Sequence, residues 1–176
     1  MAELVKWQSF YVIIGSSGAA LIGIQFVVLA LIANLRLRST TESVAAFGPP
    51  TVVQFGGALL VSAIMSAPWP SLIALSIALA MCGVGGLGYC ARVIHRTRRQ
   101  TVYLPGWQDW LWYVLMPGSL STVLVLAAVM LPRSIHVALF STAGAALGLL
   151  LLGIHNAWDT VTYIVVAFRG DATTPE

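Results

Sequence analysis

Charge is scarce in this sequence. Only 9% of its 176 residues are charged, 59% are hydrophobic, and the mean hydropathy is +0.89. A soluble domain carries about 25% charged residues, so this chain cannot clothe a surface that faces water. The same apolar richness excludes disorder, which requires low hydrophobicity. Cysteine is nearly absent: Cys82 and Cys90 are the two present, too few for a disulfide scaffold. On one helix they stand about 12 Å apart along the axis, too far to bond to each other, and they read as core packing. Six acidic residues occur, and Glu3, Glu42, Asp171 and Glu176 fall near the termini or in the first loop. Asp109 sits beside a run of aromatics, which leaves Asp159 as the one deep carboxylate and no pair for acid–base work. Nucleophile motifs, phosphate-binding loops and H-E-x-x-H are missing. The expectation is therefore a non-catalytic protein without a cofactor or metal.

What is present is length without charge. A helix needs about 20 apolar residues to cross a hydrocarbon core of about 30 Å. Five stretches qualify or come close: about 10–35, 51–67, 71–91, 110–131 and 134–168. Backbone in lipid must satisfy its own hydrogen bonds, so these read as helices. The alternating ten-residue strands of a membrane barrel are absent. The expected fold is all-α, a polytopic membrane protein with a single domain and five transmembrane helices. Gly48-Pro49-Pro50 should precede the second span. Pro68-Trp69-Pro70 and Leu131-Pro132-Arg133-Ser134 should make tight hairpins, and Pro117-Gly118 should kink the fourth span.

Orientation follows from arginine and lysine in short loops. One side carries Lys6 and Arg133; the other carries Arg36, Arg38, Arg92, Arg96, Arg98, Arg99 and Arg169. This bias puts the N-terminus outside and the C-terminus in the cytoplasm. The first span, with no small-residue cleavage site after it, reads as a retained helix. The fifth span, 134–168, would be about 52 Å long as one straight helix, against about 40–45 Å for a whole bilayer. It must tilt, break near Gly153, or project into the cytoplasm.

That choice sets the depth of the most polar stretch, Ile154-His155-Asn156-Ala157-Trp158-Asp159-Thr160-Val161-Thr162-Tyr163. His155 and Asp159 share a helix face, continued by Trp158 and Thr162. Counting along the spans places them near the cytoplasmic end of the core, with Gln25 at a similar depth and Gln54 one turn into the second span. Buried polar groups need partners, so Gln25, Gln54, His155, Asn156, Asp159 and Thr162 are expected to form one polar cluster. A charge inside a span marks function by default, and this cluster would handle a proton, ion or solute. The plainer reading is an interfacial helix end, with Asp159 paired to Arg92 or Arg96. A haem or metal site is a third reading, but of the three histidines only His95 and His155 fall on one side, and finger-like ligand spacing is missing.

Gly83-Val84-Gly85-Gly86-Leu87-Gly88 matches G-x-G-x-x-G in form, but it lies in an apolar helix, with arginines after it in place of an acidic residue. It reads as a packing seam, as do Gly144 with Gly148 and Gly15 with Ala19 and Gly23, because small residues let helices approach closely in lipid. These seams could join helices of one subunit or of several. The second span carries Thr51, Gln54, Ala58, Ser62 and Ser66 as a small, polar stripe, suited to a water-filled path or to helix contact. Arg92, Arg96, Arg98 and Arg99 precede Tyr103, Trp107, Trp110, Trp112 and Tyr113. Beside a span, this combination reads as an interfacial belt that contacts anionic lipids, and not as a nucleic-acid site.

The stretches Ser66-Ala67-Pro68-Trp69-Pro70-Ser71 and Gly153-Ile154-His155-Asn156-Ala157-Trp158-Asp159 resemble those of small multi-helix bacterial inner-membrane proteins without an assigned function. The resemblance implies a bacterial inner membrane and carries no activity. The leading expectation is an oligomeric channel or transporter for a small ion or solute. The alternative is an assembly factor or accessory subunit of a larger membrane complex.

Overall fold

A computed structural model describes the backbone of residues 2–34, 40–99 and 106–171, and the side chains of 3–30, 51–98, 106–108 and 110–162. Arg36, Arg38 and Tyr103 lie outside the described residues, and the side chains of Arg99, Asp109 and Arg169 lie outside the described side chains. The elements are α1 (Ala2–Val5), α2 (Gln8–Asn34), α3 (Thr40–Ser66), α4 (Leu72–Arg99), α5 (Trp107–Trp110), a π turn (Leu111–Leu115), α6 (Met116–Met130) and α7 (Ile135–Asp171). The described fold is all-α. Among the described residues four stretches are long and apolar enough to cross a membrane: Gln8–Ala30, Leu72–Arg98, Leu111–Met130 and Ile135–Thr162. Thr51–Ser66 is a shorter apolar stretch within α3.

The turns form where the prolines stand. After α3, Trp69 folds back and its indole N–H donates to the Ile64 carbonyl at 2.6 Å. Ser71 Oγ then accepts from the Ala74 N–H at 3.2 Å, a side-chain cap for the orphan donors at the start of α4. Between α6 and α7, the N–H groups of Arg133 and Ser134 both bond to the Met130 carbonyl.

The structure corrects one expectation and adds detail to two others. First, α3 begins at Thr40, so Gly48-Pro49-Pro50 lies within the helix and not in a loop before it. Proline has no N–H, so Pro49 and Pro50 donate no bond to the Ala45 and Ala46 carbonyls one turn back. Second, the fourth span meets Pro117 with a π turn. Pro117 has no N–H to give one turn back, and the Met116 N–H bonds to the Leu111 carbonyl five residues behind. Third, α7 does not break at Gly153. It runs as one helix from Ile135 to Asp171, about 55 Å long. Gly153 is instead a seat: a Cβ there would lie 2.5 Å from the Phe55 ring.

Helices α3 and α7 form the centre. Helix α2 packs on α3, and α6 packs on α7 and carries α4 on its other side. Tyr11, Phe55, Leu79, Leu124, Leu139 and Ala146 belong to one continuous apolar core. Helices in lipid gain little from the hydrophobic effect and are held by close packing, which the glycines supply. Gly18 brings α2 against the Phe55 carbonyl, Gly148 receives Leu120 of α6, and Gly83 brings α4 to within 2.9 Å of the Ser121 carbonyl, measured from the position a Cβ would take. Of the glycines read as seams, Gly15 packs against Ser62 and Gly148 against Leu120, whereas a Cβ at Gly23 or Gly144 would meet nothing within 4 Å. Among the described residues the second pair therefore has no packing partner.

The chain's own partner choices open a space. Helix α3 is drawn to α2 and α7, and α4 is drawn to α6, so the two arms of the α3–α4 hairpin share little contact. Between them lies a cleft of about 350 Å³, with Gly56, Leu60, Cys82, Gly85, Tyr89 and Tyr113 among its lining residues. Cys82 and Cys90 are free thiols and both line it.

Candidate functional site

Five of the buried polar residues lie in the arginine-bearing half of the bundle. Gln25 of α2, Thr51 and Gln54 of α3, and Asn156 and Thr160 of α7 are all buried. The central contact joins the two central helices: Asn156 Nδ2 donates to Gln54 Oε1 at 2.9 Å. Both residues are at most 4% exposed, so the bond is sheltered from bulk solvent. Thr160 donates its hydroxyl to the Asn156 backbone carbonyl one turn back. Asn156 Oδ1 accepts no hydrogen bond from any described residue. Interhelical bonds of this kind in lipid are worth about 0.6 kcal/mol on average, and up to about 1.7. The pair fixes the rotation of α7 against α3 more than it adds stability.

His155 goes elsewhere. Successive residues on a helix point about 100° apart, so with Asn156 turned to α3, His155 turns to α6. Its ring stacks on Trp112, with centroids 3.7 Å apart and planes at 29°. Trp112 belongs to the π turn, so the backbone irregularity before Pro117 is what presents the indole. One turn on, Asp159 Oδ2 lies 3.4 Å from His155 Nε2. These two side chains are 37% and 52% exposed. His155, Asp159 and Trp112 form a rim group beside the buried pair and are not part of it.

The expected cluster thus resolves into parts. Gln54 and Asn156 meet, and His155 meets Asp159. Gln25 is buried, but no hydrogen bond among the described residues joins it to the pair. Thr162 is exposed. Asp159 lies beside His155 and forms no described ion pair with Arg92 or Arg96, which lie exposed along α4 with Arg98. His136 stands at the opposite end of α7, 3.9 Å from Glu3. Among the described residues no group of three His, Cys, Asp or Glu could hold a metal. The stripe of α3 serves helix contact at Ser62, which is buried, donates to the Ala58 carbonyl and faces Gly15.

Two contributors escaped the sequence reading. Thr160 could have been found, because Gly153, Asn156 and Thr160 fall at i, i+3 and i+7, a single helix face. Trp112 could not, because a π turn shifts the helical register and its position is not written in a regular period.

Comparison with protein-family models, curated proteins and solved structures finds no match for this chain.

Proposed function

We propose that the chain is a bacterial inner-membrane protein of five spans, with Thr51–Ser66 as the core of the second. Its N-terminus is outside and its arginine-bearing end is in the cytoplasm, against anionic lipids. It is non-catalytic and passes a small ion or solute as a homo-oligomer. The observation that carries this reading is the buried polar layer of Gln25, Thr51, Gln54 and Asn156, with an amide oxygen, Asn156 Oδ1, that accepts no hydrogen bond from any described residue. A layer of amides and hydroxyls inside apolar helices is costly unless it has partners or a task.

The opposite half of the core is closed by Leu75, Leu79, Leu131 and Leu139. The layer therefore does not continue through one subunit, and passage in this reading runs along a subunit boundary. Gly23 and Gly144, open among the described residues, suit such a boundary. The test is flux of protons, sodium and potassium in liposomes. Wild-type protein conducts one of them, and Asn156→Leu lowers that flux at least tenfold while remaining folded. Flux unchanged in the Asn156→Leu protein removes the layer from the path. Absence of flux from wild type overturns transport.

The closed apolar half also favours a second reading, an assembly factor or accessory subunit. Co-purification of one stoichiometric partner, with no flux, would establish it.

A further inference from the structure

The cleft between α3 and α4 meets the polar layer at Gln54, and its walls show how it is made. Gly83 and Gly86 press α4 onto α6, while Gly56 and Gly85, which line the cleft, have open space where a Cβ would stand. The cleft is therefore a true gap between two packed halves. Its volume of about 350 Å³ lies within the range of about 300–1,000 Å³ typical of small-molecule sites. Most of its wall is hydrocarbon, from Leu60, Met81 and Leu149. Polar groups appear towards its arginine-bearing end, from Gln54 and Tyr89.

The face of α4 that lines the cleft does not stop at Tyr89. Met81, Gly85, Tyr89, Arg92 and Arg96 recur at spacings of three and four, so the two arginines continue the same face. Arg92 and Arg96 are exposed, and neither makes an ion pair with another described residue. Arg92 stands about 10 Å beyond Gly85 along the helix. An apolar slot, then amide and phenol groups, then two guanidinium groups is the order of chemistry along a phospholipid: acyl chain, ester, phosphate.

The geometry points to a lipid site in which one acyl chain of an anionic phospholipid fills the α3–α4 cleft and its phosphate is held by Arg92 and Arg96. Arginine matches phosphate through paired N–H donors. This rests on the proposed placement of the arginine-bearing end at the headgroups, and it goes further by giving one lipid molecule a defined seat.

The full-length protein is purified in detergent and supplied with phosphatidylglycerol or phosphatidylcholine carrying a photoactivatable group on one acyl chain. Wild type should cross-link to phosphatidylglycerol at least fivefold more than to phosphatidylcholine, on peptides covering 53–60 and 81–90. Gly56→Leu with Gly85→Leu fills the gap and should lower that labelling at least fivefold; circular dichroism and gel filtration check that the fold is kept. Arg92→Gln with Arg96→Gln should abolish the preference between the two lipids while cleft labelling persists. A headgroup preference that the arginine variant abolishes, without labelling at 53–60 and 81–90, keeps the general attraction to anionic lipid and overturns the seat. Labelling in the cleft without any headgroup preference overturns the role of the arginines. Should the leucine variant not fold, the location of wild-type cross-links still decides: labels spread evenly over lipid-facing helices overturn the proposal.

Discussion

Helix α3 has two neighbours and treats them differently. Against α7 it is seated: Phe55 lies over Gly153, and Gln54 bonds to Asn156. Against α4, to which a five-residue turn joins it, it leaves a gap lined by Gly56 and Gly85. Glycine occurs on both sides, so glycine content does not decide between a seam and a cleft. What decides is whether a large side chain or a backbone group enters the space that the glycine leaves. Phe55 enters at Gly153 and the Ser121 carbonyl enters at Gly83, while nothing enters at Gly56 or Gly85.

The largest effects should come from closing the seated seams. Alanine at Gly83 would set a Cβ 2.7 Å from Val125 Cγ2 and 2.9 Å from the Ser121 carbonyl. We expect Gly83→Ala and Gly153→Ala each to cost about 1–3 kcal/mol, as overpacked cores do, read by unfolding in mixed micelles. Gly56→Ala and Gly85→Ala should leave stability unchanged, or raise it by up to about 1 kcal/mol through helix propensity. Equal losses at all four positions would erase the contrast between seam and cleft.

The next effect is at Gln54, which belongs to both sides of the comparison. A double-mutant cycle of Gln54→Leu and Asn156→Leu should give a coupling of about 0.6 kcal/mol, and no more than about 1.7. A coupling near zero would mean that the amide pair does not orient α7. Trp112→Ala should cost about 0.5–1.5 kcal/mol through the lost ring stack on His155. The same loss in a His155→Ala background would show that the stack is not its source.

The smallest effect lies far from either seam and serves as its control. Lys6 Nζ donates to Glu3 Oε1 at 2.8 Å, and this bond holds the partly exposed Glu3 carboxyl below its ordinary range. Its contribution is present above the unfolded carboxyl value and is lost as pH falls through the lowered folded one. Acidification to about pH 3, below the free carboxylate value of about 4.3, should loosen α1, read by the fluorescence of Trp7, whose ring lies 4.7 Å from that of Phe140. Fluorescence that does not change over that range would show that Glu3 does not hold the turn.

Much of this arrangement can be read from residues in order. The apolar runs fall on helices, and Pro68-Trp69-Pro70 makes the hairpin because an X-Pro step resists helix. The sequence could not supply rotation. Helix α7 is apolar on most of its faces, so period alone does not say that Asn156 turns inward to α3 while its neighbour His155 turns to Trp112. Depth was similarly open for Asp159, since an unbroken 37-residue helix can slide along its axis without changing its pattern. The glycines were visible, but their partners, Phe55 and Ser121, come from distant segments and have no signature beside them.

The unbroken α7 has one more consequence. Its apolar stretch, Ile135–Thr162, is about 42 Å long, against about 30 Å of hydrocarbon. In the proposed membrane setting such a stretch tilts or thickens the bilayer around it, and α3 and α6, packed along its sides, move with it. Under that reading bilayer thickness is a mechanical input to the bundle, delivered through a single axle.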